Sequence, residues 1–519
     1  MAKGYSTLIF SGMETLNTGF PTEIPDNHWS DTLNMIRRED GLWENRKGIA
    51  QFGADVGSGV SVHSLRFWKT QANVRYLTVG TDDDLYSYAE GATYNDGTFT
   101  ARKDLTNSTP WDSVVYRGTI LIENGSNTPQ SSTDNATFTD RAPGATVVNA
   151  SIMEVSNDFV SFFGTAADPN LGYLSAGAPT NIWEYDTSNT VNIDIGNSEN
   201  VTGALALGAQ IVVFKRNRVY SIDLASLERT TLDFNSGCES NRAIMRTNLN
   251  EILFAGRNGV FSVAKTQIGT NTYFGSPESE VIKSLYDTIT SYATINSSFY
   301  PLKNYAIWNA ETSLGQICLL KHLDYDSPIW TYFTGVNATD WTLYQDSSGD
   351  DHLLFGDSSL DKVWELFVGR NDNGAPILSR LATKRTDFGL PGIQKHIGYI
   401  DIYGYISENA EWTVELYAND NTSTPIITST IDSSNTAGTG LGGLGSSSLG
   451  TDPLGGLLDT ATGDIAVVPF YKRIDVFQDV EKLQIMLRNN QVDARVIYRA
   501  AVVYYQPRPV DQYANEYIS

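Results

Sequence analysis

Apolar and polar residues alternate along much of this chain, or the apolar ones cluster in brief runs rich in Val, Ile, Tyr, Phe and Trp, and sustained helical spacing is rare. Both patterns predict strands, the first half-buried and the second buried on both faces. A β-rich segment, a tight polar turn and a second β-rich segment recur seven times, with turn markers at Asp82, Asn124, Asp168, Arg216, Arg257, Glu311 and Ser358. Successive markers lie about 41 to 54 residues apart, close to the ~40 to 50 of propeller blades. Each interval has room for four short strands. Arg216-Asn217 and Arg257-Asn258-Gly259 are expected to close hairpins through positive φ, with Gly259 the least strained choice. A lone four-stranded sheet leaves both faces open to water, whereas radial packing of six or seven covers them and leaves short edges.

After about Arg380 the alternation becomes strict, in HIGYIDIYGYI from His396 and EWTVELYA from Glu411 and in parts of VPFYKRIDVF from Val468, KLQIMLR from Lys482 and ARVIYRAAVVYY from Ala494. Strands of this kind bury one face and fit an antiparallel sandwich. The expected organisation is all-β: an N-terminal arm (1–50), a six- to seven-bladed β-propeller (51–380) and a β-sandwich domain (381–519). The sandwich carries a Gly/Leu-rich insertion at 430–464, which low side-chain bulk makes flexible.

Composition agrees with this and narrows the chemistry. Apolar residues make up 41% of the 519 positions and aromatics 11%, enough to build a core. The 36 basic against 60 acidic side chains give a net charge of −24, which opposes broad adhesion to nucleic-acid phosphates. MAKGYSTLIF has no signal-peptide core, and no apolar run approaches the ~18 residues of a membrane span, so a soluble chain made in a cytoplasm is expected. Cys238 and Cys318, far apart and outside any CxxC, read as two buried thiols.

Motifs for chemistry are few. Gly438, Gly440 and Gly443 match GxGxxG formally but lie in no βαβ unit, and no GxxxxGK[ST], HExxH, GxSxG or EF-hand loop occurs. His28, His63, His322, His352 and His396 stand singly, without metal-site spacing. Asp82-Asp83-Asp84 and Asp350-Asp351 read as solvated hairpin tips. Carboxylates are too abundant for a catalytic pair to be picked out by spacing, because such pairs are set in three dimensions. No catalytic residue, metal site or cofactor is expected, and the protein reads as a non-enzyme. The competing reading is a glycan-binding or glycan-cleaving propeller on a virion or cell surface, with exposed Trp and Tyr stacking on sugars.

One segment is more distinctive. WSDTLNMIRREDGLWENRKGIAQFG from Trp29 sets Asn34, a turn at Asp40-Gly41, then Arg46 and Gly48 before the first propeller strands. It resembles the N-terminal signature of the tail nozzle proteins, or packaged-DNA stabilisation proteins, of short-tailed bacteriophages. YRGTILIENGSNTPQ from Tyr116, VFKRNRVYSI from Val213, HLLFGDSSLDKVWEL from His352 and TDFGLPGIQKHIGYIDIYGYI from Thr386 resemble further segments of that family in the same order. The resemblance implies a virion tail component assembled in the host cytoplasm as a homo-oligomeric, hexameric ring. That ring would sit beneath portal and adaptor proteins, hold packaged DNA, and dock tailspikes or fibres and a needle or plug. DNA would pass through without specific binding, and no membrane would be entered. Within such a ring the Gly/Leu-rich loop is the candidate channel gate, with Leu441, Leu444, Leu449, Leu454 and Leu457 forming an apolar constriction; the alternative is a subunit-contact arm or plain disorder.

Overall fold

Strands form where the alternation and the β-branched runs place them. The computed structural model describes the chain except for residues 1–4, 21–23, 58–60, 83, 106–109, 141–148, 157–158, 176–184, 197–198, 233–235, 249–250, 265–276, 326–327, 409, 436–464 and 509–519. The chain divides into two compact units, one made of 50–326 and 335–366, the other of 1–49, 327–334 and 367–519.

The first unit is a propeller-like succession of seven antiparallel sheets. Their leading strands are Val62–Lys69, Asp112–Tyr116, Ile152–Ser156, Val201–Leu207, Ile244–Arg246, Ile289–Tyr300 and Ala338–Gln345. Each leading strand touches the next, and the seventh touches the first. Six of the seven turn markers fall in the connection between the second and third strands of successive sheets, and Glu311 lies in the last two residues of the second strand of its sheet, Tyr305–Thr312. The seventh sheet takes its outer strand, Ile49–Phe52, from the other end of the propeller's sequence, beside Val363–Leu366. Loop closure is thereby built into one sheet.

Adjacent sheets share apolar cores. Leu65, Leu77 and Val79 of the first sheet meet Tyr344, Leu354 and Val363 of the seventh. Trp68 and Leu85 meet Trp111, Ile120 and Ile122 of the second. The second and third join through Val114, Leu121, Met153 and Phe162, and the third and fourth through Ile152, Phe163, Ile211 and Tyr220. Burying each such side chain contributes roughly 1.5–3 kcal/mol, so the sheets stabilise one another rather than themselves.

Two local expectations change. Gly259 does take φ +134°, and a Cβ there would meet Pro277 at 2.5 Å. Arg216, Asn217 and Asn258, however, are not among the positive-φ residues, so their turns close with ordinary backbone. The long Arg257-to-Glu311 interval holds a 3₁₀ turn, Glu280–Ile282, and a short helix, Lys283–Tyr286, before the sixth sheet begins.

The second unit is a sandwich of a six-stranded and a five-stranded antiparallel sheet. Lys395–Ile406 lies between Val468–Val480 and Val496–Pro507, and Glu411–Ala418 between Ile427–Asp432 and Leu483–Asn489. Trp43, Phe470 and Tyr498 of one sheet face Trp29 and Trp412 of the other, with Trp29 and Tyr498 ring centroids 5.0 Å apart. Residues expected as an N-terminal arm are strands of this sandwich. Ser6–Ser11 pairs with Val496–Pro507, Trp29–Asp31 with Ser379–Thr383, and Trp43–Asn45 with Val496–Pro507. Their apolar faces are needed to complete the core, which is why residues 1–49 join 367–519. No helix among the described residues is long and apolar enough to cross a membrane.

Candidate functional site

The signature from Trp29 builds the sandwich's buried polar centre. Asn34 adopts φ 54°, a conformation that Asn tolerates better than most residues. Its amide donates to the Leu378 carbonyl at 2.7 Å, and its Oδ1 accepts from Arg46 Nε at 2.9 Å. Arg46 is 1% exposed and uses all five of its N–H groups. Besides Asn34 they reach Asp372 in a fork at 2.8 and 2.6 Å and the carbonyls of Lys47 and Thr334, both at 3.0 Å. Glu44 accepts from Arg38 at 2.9 Å, from Arg495 at 2.7 Å and from Arg370. Burial would raise its pKa, but the charges of Arg370 and Arg495, with Arg38 adding, outweigh that and hold it below the ordinary value. At Gly48 a Cβ would lie 1.8 Å from the Asn371 carbonyl oxygen, so glycine is required by contact.

The propeller unit gathers a second charged cluster on its leading strands. These strands have no partner strand on their inner side, and side chains of neighbouring sheets supply bonds instead. Asp112 accepts from Met153 N–H at 2.6 Å, Glu154 from Ala206 N–H, and Asp340 from Leu65 N–H at 2.8 Å. Thr342 accepts from Phe67 N–H at 3.0 Å, and Asn296 donates to the Ala338 carbonyl at 2.8 Å. The chain is thus stitched sheet to sheet around the axis.

Arg242, in the short 3₁₀ turn Asn241–Ala243 that opens the fifth sheet, reaches across to three others. Its guanidinium donates to the carbonyls of His63, Thr339 (3.1 Å) and Trp111 (2.9 Å) and to Ser64 Oγ (2.9 Å). Asp340 lies 3.8 Å away. Asn241 follows the same path, donating to Asp112 at 3.3 Å. Together these groups tie the start of the fifth sheet to the first, second and seventh. Burial pushes Asp112 up to about 6, against the pull of the Met153 and Ser113 N–H groups and of Arg66 and Arg242. Burial and the charge of Asp112 push Glu154 up to about 7. Asp340 is raised by burial, and Glu123, whose Oε2 accepts from Ala150 N–H at 2.9 Å, is pushed by burial and Asp112 up to about 8.

The histidines stay apart. His63 packs beside Arg242 and is lowered by burial and that charge to about 4. His352 is the most connected: its Nδ1 lies 2.6 Å from Glu365, its Nε2 3.6 Å from Asp346, and Tyr94 stacks on its ring at 4.0 Å. Burial would lower its pKa, but the hydrogen bond and charge of Glu365, with Asp346 adding, raise it overall. Cys238 and Cys318 are buried thiols, and burial pushes that of Cys238 up to about 12. No group of three or more potential metal ligands occurs among the described residues.

Leu441, Leu444, Leu449, Leu454 and Leu457, the candidate gate, lie outside the described residues. Sequence reasoning missed Asp112, Glu154, Asp340 and Arg242. The available signal was a single carboxylate set into otherwise neutral leading strands, as in DSVVY, IMEVS and ATDWTLYQ. The signature was noticed, but not that Glu44 and Arg46 are its buried charges.

No protein-family model matches the chain, and no curated protein does. Among solved structures, one in the mitotic checkpoint complex overlaps 62% of this chain and 94% of its own at 13% identity and TM-score 0.41. The extracellular domain of a one-component system from B. thetaiotaomicron overlaps 81% and 59% at 10% identity and TM-score 0.42. That of a hybrid two-component system from the same organism overlaps 64% and 42% at 12% identity and TM-score 0.39. The chain therefore spans about half the length of these two bacterial proteins, and overlaps this distant do not bear on function.

Proposed function

We propose that this chain is a structural component of a phage tail, forming the distal nozzle ring that holds packaged DNA and docks tailspike or fibre and needle components. The observation that carries this reading is that the carboxylates gathered inside both units are bonded to the protein's own groups. Glu44 is held by arginines, while Asp112, Glu154 and Asp340 are taken up by backbone N–H groups of the next sheet. Acid–base chemistry on a substrate needs such groups within reach of that substrate. The fold instead offers outward shape and charge. With Arg242 across the propeller axis, the DNA passage of a ring would lie between copies, and an excess of −24 charges per copy would repel phosphate there. The signature residues Asn34, Glu44, Arg46 and Gly48 are used for rigidity, which suits a component under mechanical load.

The glycan reading needs exposed aromatic platforms. Every Trp among the described residues is buried, Trp341 and Trp364 at 7% being the most exposed. Tyr399, on the outer side of the six-stranded sheet, is covered by Tyr504 at 4.2 Å and by Arg473 at 4.0 Å. Native mass spectrometry of the purified chain, alone and with portal-adaptor proteins, together with a glycan hydrolysis panel, tests the proposal. A closed hexamer without turnover is expected. A monomer or trimer that cleaves or retains a glycan would replace this reading with the other.

A further inference from the structure

We propose that opposite sides of the propeller carry complementary charged sectors through which one copy of this chain docks head to tail on the next. This rests on the ring reading and names the surface that would build it. Both sectors are made alike: the segment joining two consecutive sheets lies between the turns that connect their second and third strands. Between the fourth and fifth sheets that segment holds Glu239, and the flanking turns bring Arg216 and Arg257 to it. Both Nε atoms meet the same carboxylate oxygen, Arg216 at 3.4 Å, so two guanidinium groups stand side by side with one counter-charge between them. Beside them the Asp194 carboxylate takes Arg218 at 3.1 Å, and its backbone carbonyl accepts from Lys215 Nζ at 3.2 Å. Arg229 lies over the Tyr220 ring at 5.2 Å, and the Tyr220 hydroxyl donates to Asp194 at 2.8 Å. These five cations face only Glu239, Asp194 and Glu199, which accepts from Asn217 N–H, so the sector is positive. The side chains of Arg216, Arg218 and Arg257 are 47%, 55% and 45% exposed, open to a partner.

Between the seventh and first sheets the charge is reversed. The segment leading from Phe52 toward Val62–Lys69 holds Asp55, the flanking turns supply Asp361 and Asp82, and Asp84 opens the next strand. The segment is tied to both turns, Val56 N–H donating to the Asp361 carbonyl at 2.8 Å and Ser61 Oγ to Asp82 at 3.1 Å. Lys362 pairs with Asp55 at 2.9 Å. His63, 3.8 Å from Asp82, is neutral at pH 7, because burial and the charge of Arg242 lower it to about 4. Four carboxylates against one cation leave this sector negative.

The fifth to seventh sheets lie between the two junctions one way round and the first to fourth the other, so the sectors sit on opposite sides of the unit. Copies standing side by side with parallel axes bring the positive sector of one against the negative sector of the next, a heterologous contact that repeats around a ring. Each copy carries a net charge of −24, so copies repel one another at a distance and adhere only where the charge is locally reversed. Arg216, Arg218 and Arg257 therefore select a second copy of this chain, whose Asp55 and Asp82 are the exposed carboxylates that match them.

Native mass spectrometry of the full chain tests this through charge reversal. Arg216→Glu with Arg257→Glu, and separately Asp55→Arg with Asp82→Arg, should each raise the concentration needed for assembly at least about ten-fold, because like charges then meet at every contact. An equimolar mixture of the two variants should restore rings in which they alternate, since each meets the other through opposite charges on both sides. Arg216→Gln with Arg257→Gln, which adds no charge beside Glu239, should raise the assembly concentration several-fold even where the reversal unsettles that turn. Assembly unchanged in any of these variants, or a mixture that does not form alternating rings, would overturn the interface and leave the ring reading standing. A wild-type chain that stays monomeric, alone and with portal-adaptor proteins, would overturn both.

Discussion

The sandwich and the propeller unit each bury arginines and carboxylates, yet the two clusters push their carboxylates in opposite directions. Glu44 meets three guanidinium groups directly and is held below the ordinary carboxylate range. Glu154 and Asp112 meet backbone N–H groups, while Arg242, whose charge acts on Asp112, gives its bonds to carbonyls and a hydroxyl. They end up near 7 and 6. Burial penalises both sets alike, and what decides the sign is whether the compensating partner carries a full charge. The lesson is that arginine charge outweighs a carboxylate's burial where the guanidinium donors reach the carboxylate directly, as at Glu44, and falls short where they are committed elsewhere, as with Arg242 at Asp112.

The contrast can be broken most sharply at Glu44. Its replacement by Gln leaves Arg370 and Arg495, 3% and 2% exposed, without their counter-charge. A loss of about 3–5 kcal/mol is expected in urea unfolding at pH 7. Because its folded pKa lies below the ordinary 4.5, the contribution of Glu44 is present above that pH and fades as acid protonates it. The variant should therefore lose most of its deficit at low pH.

Arg242→Ala comes next, at roughly 2–3 kcal/mol, since it orphans carbonyls on three sheets at once. Hydrogen exchange should quicken in the leading strands Val62–Lys69 and Ala338–Gln345, which Arg242 ties together.

Glu154→Gln should do the reverse of Glu44→Gln. A carboxylate raised to about 7 favours the fold when protonated, so its contribution is complete below about 4.5 and is lost as pH rises through 7. Gln keeps an acceptor for Ala206 N–H without the buried charge. Stabilisation by about 1–3 kcal/mol at pH 8, shrinking as the pH falls and gone below about pH 4.5, is expected from paired melting curves. A uniform change across pH would contradict the assignment of Glu154.

The smallest effect belongs to His352. Its raised pKa means that its contribution is present below about 6.5 and is lost above the folded value. In His352→Gln, that slope of stability against pH should flatten.

Much of the architecture was legible because strand periodicity and turn chemistry are local. Asp82, Asn124, Asp168, Arg216, Arg257, Glu311 and Ser358 mark one connection per sheet, and EWTVELYA is a strand from its first residue to its last. The joining of Trp29–Asp31 to Ser379–Thr383 was not legible, since pairing across such a distance leaves no local trace. For the same reason the clusters escaped notice: Arg242 meets His63 and Thr339, and Glu44 meets Arg495, through folding alone. The Trp29 signature was visible as a motif, while its use as an ion-paired centre required Asp372 and Arg370 to be in view.

The central claim, that the chain works as a ring at the end of a phage tail, is tested most directly by electron cryomicroscopy of the intact particle. The account predicts six copies around the tail channel, distal to the portal and adaptor, with DNA density ending at or within their ring. Density for this chain as isolated copies on the particle surface, each holding a glycan, would contradict it.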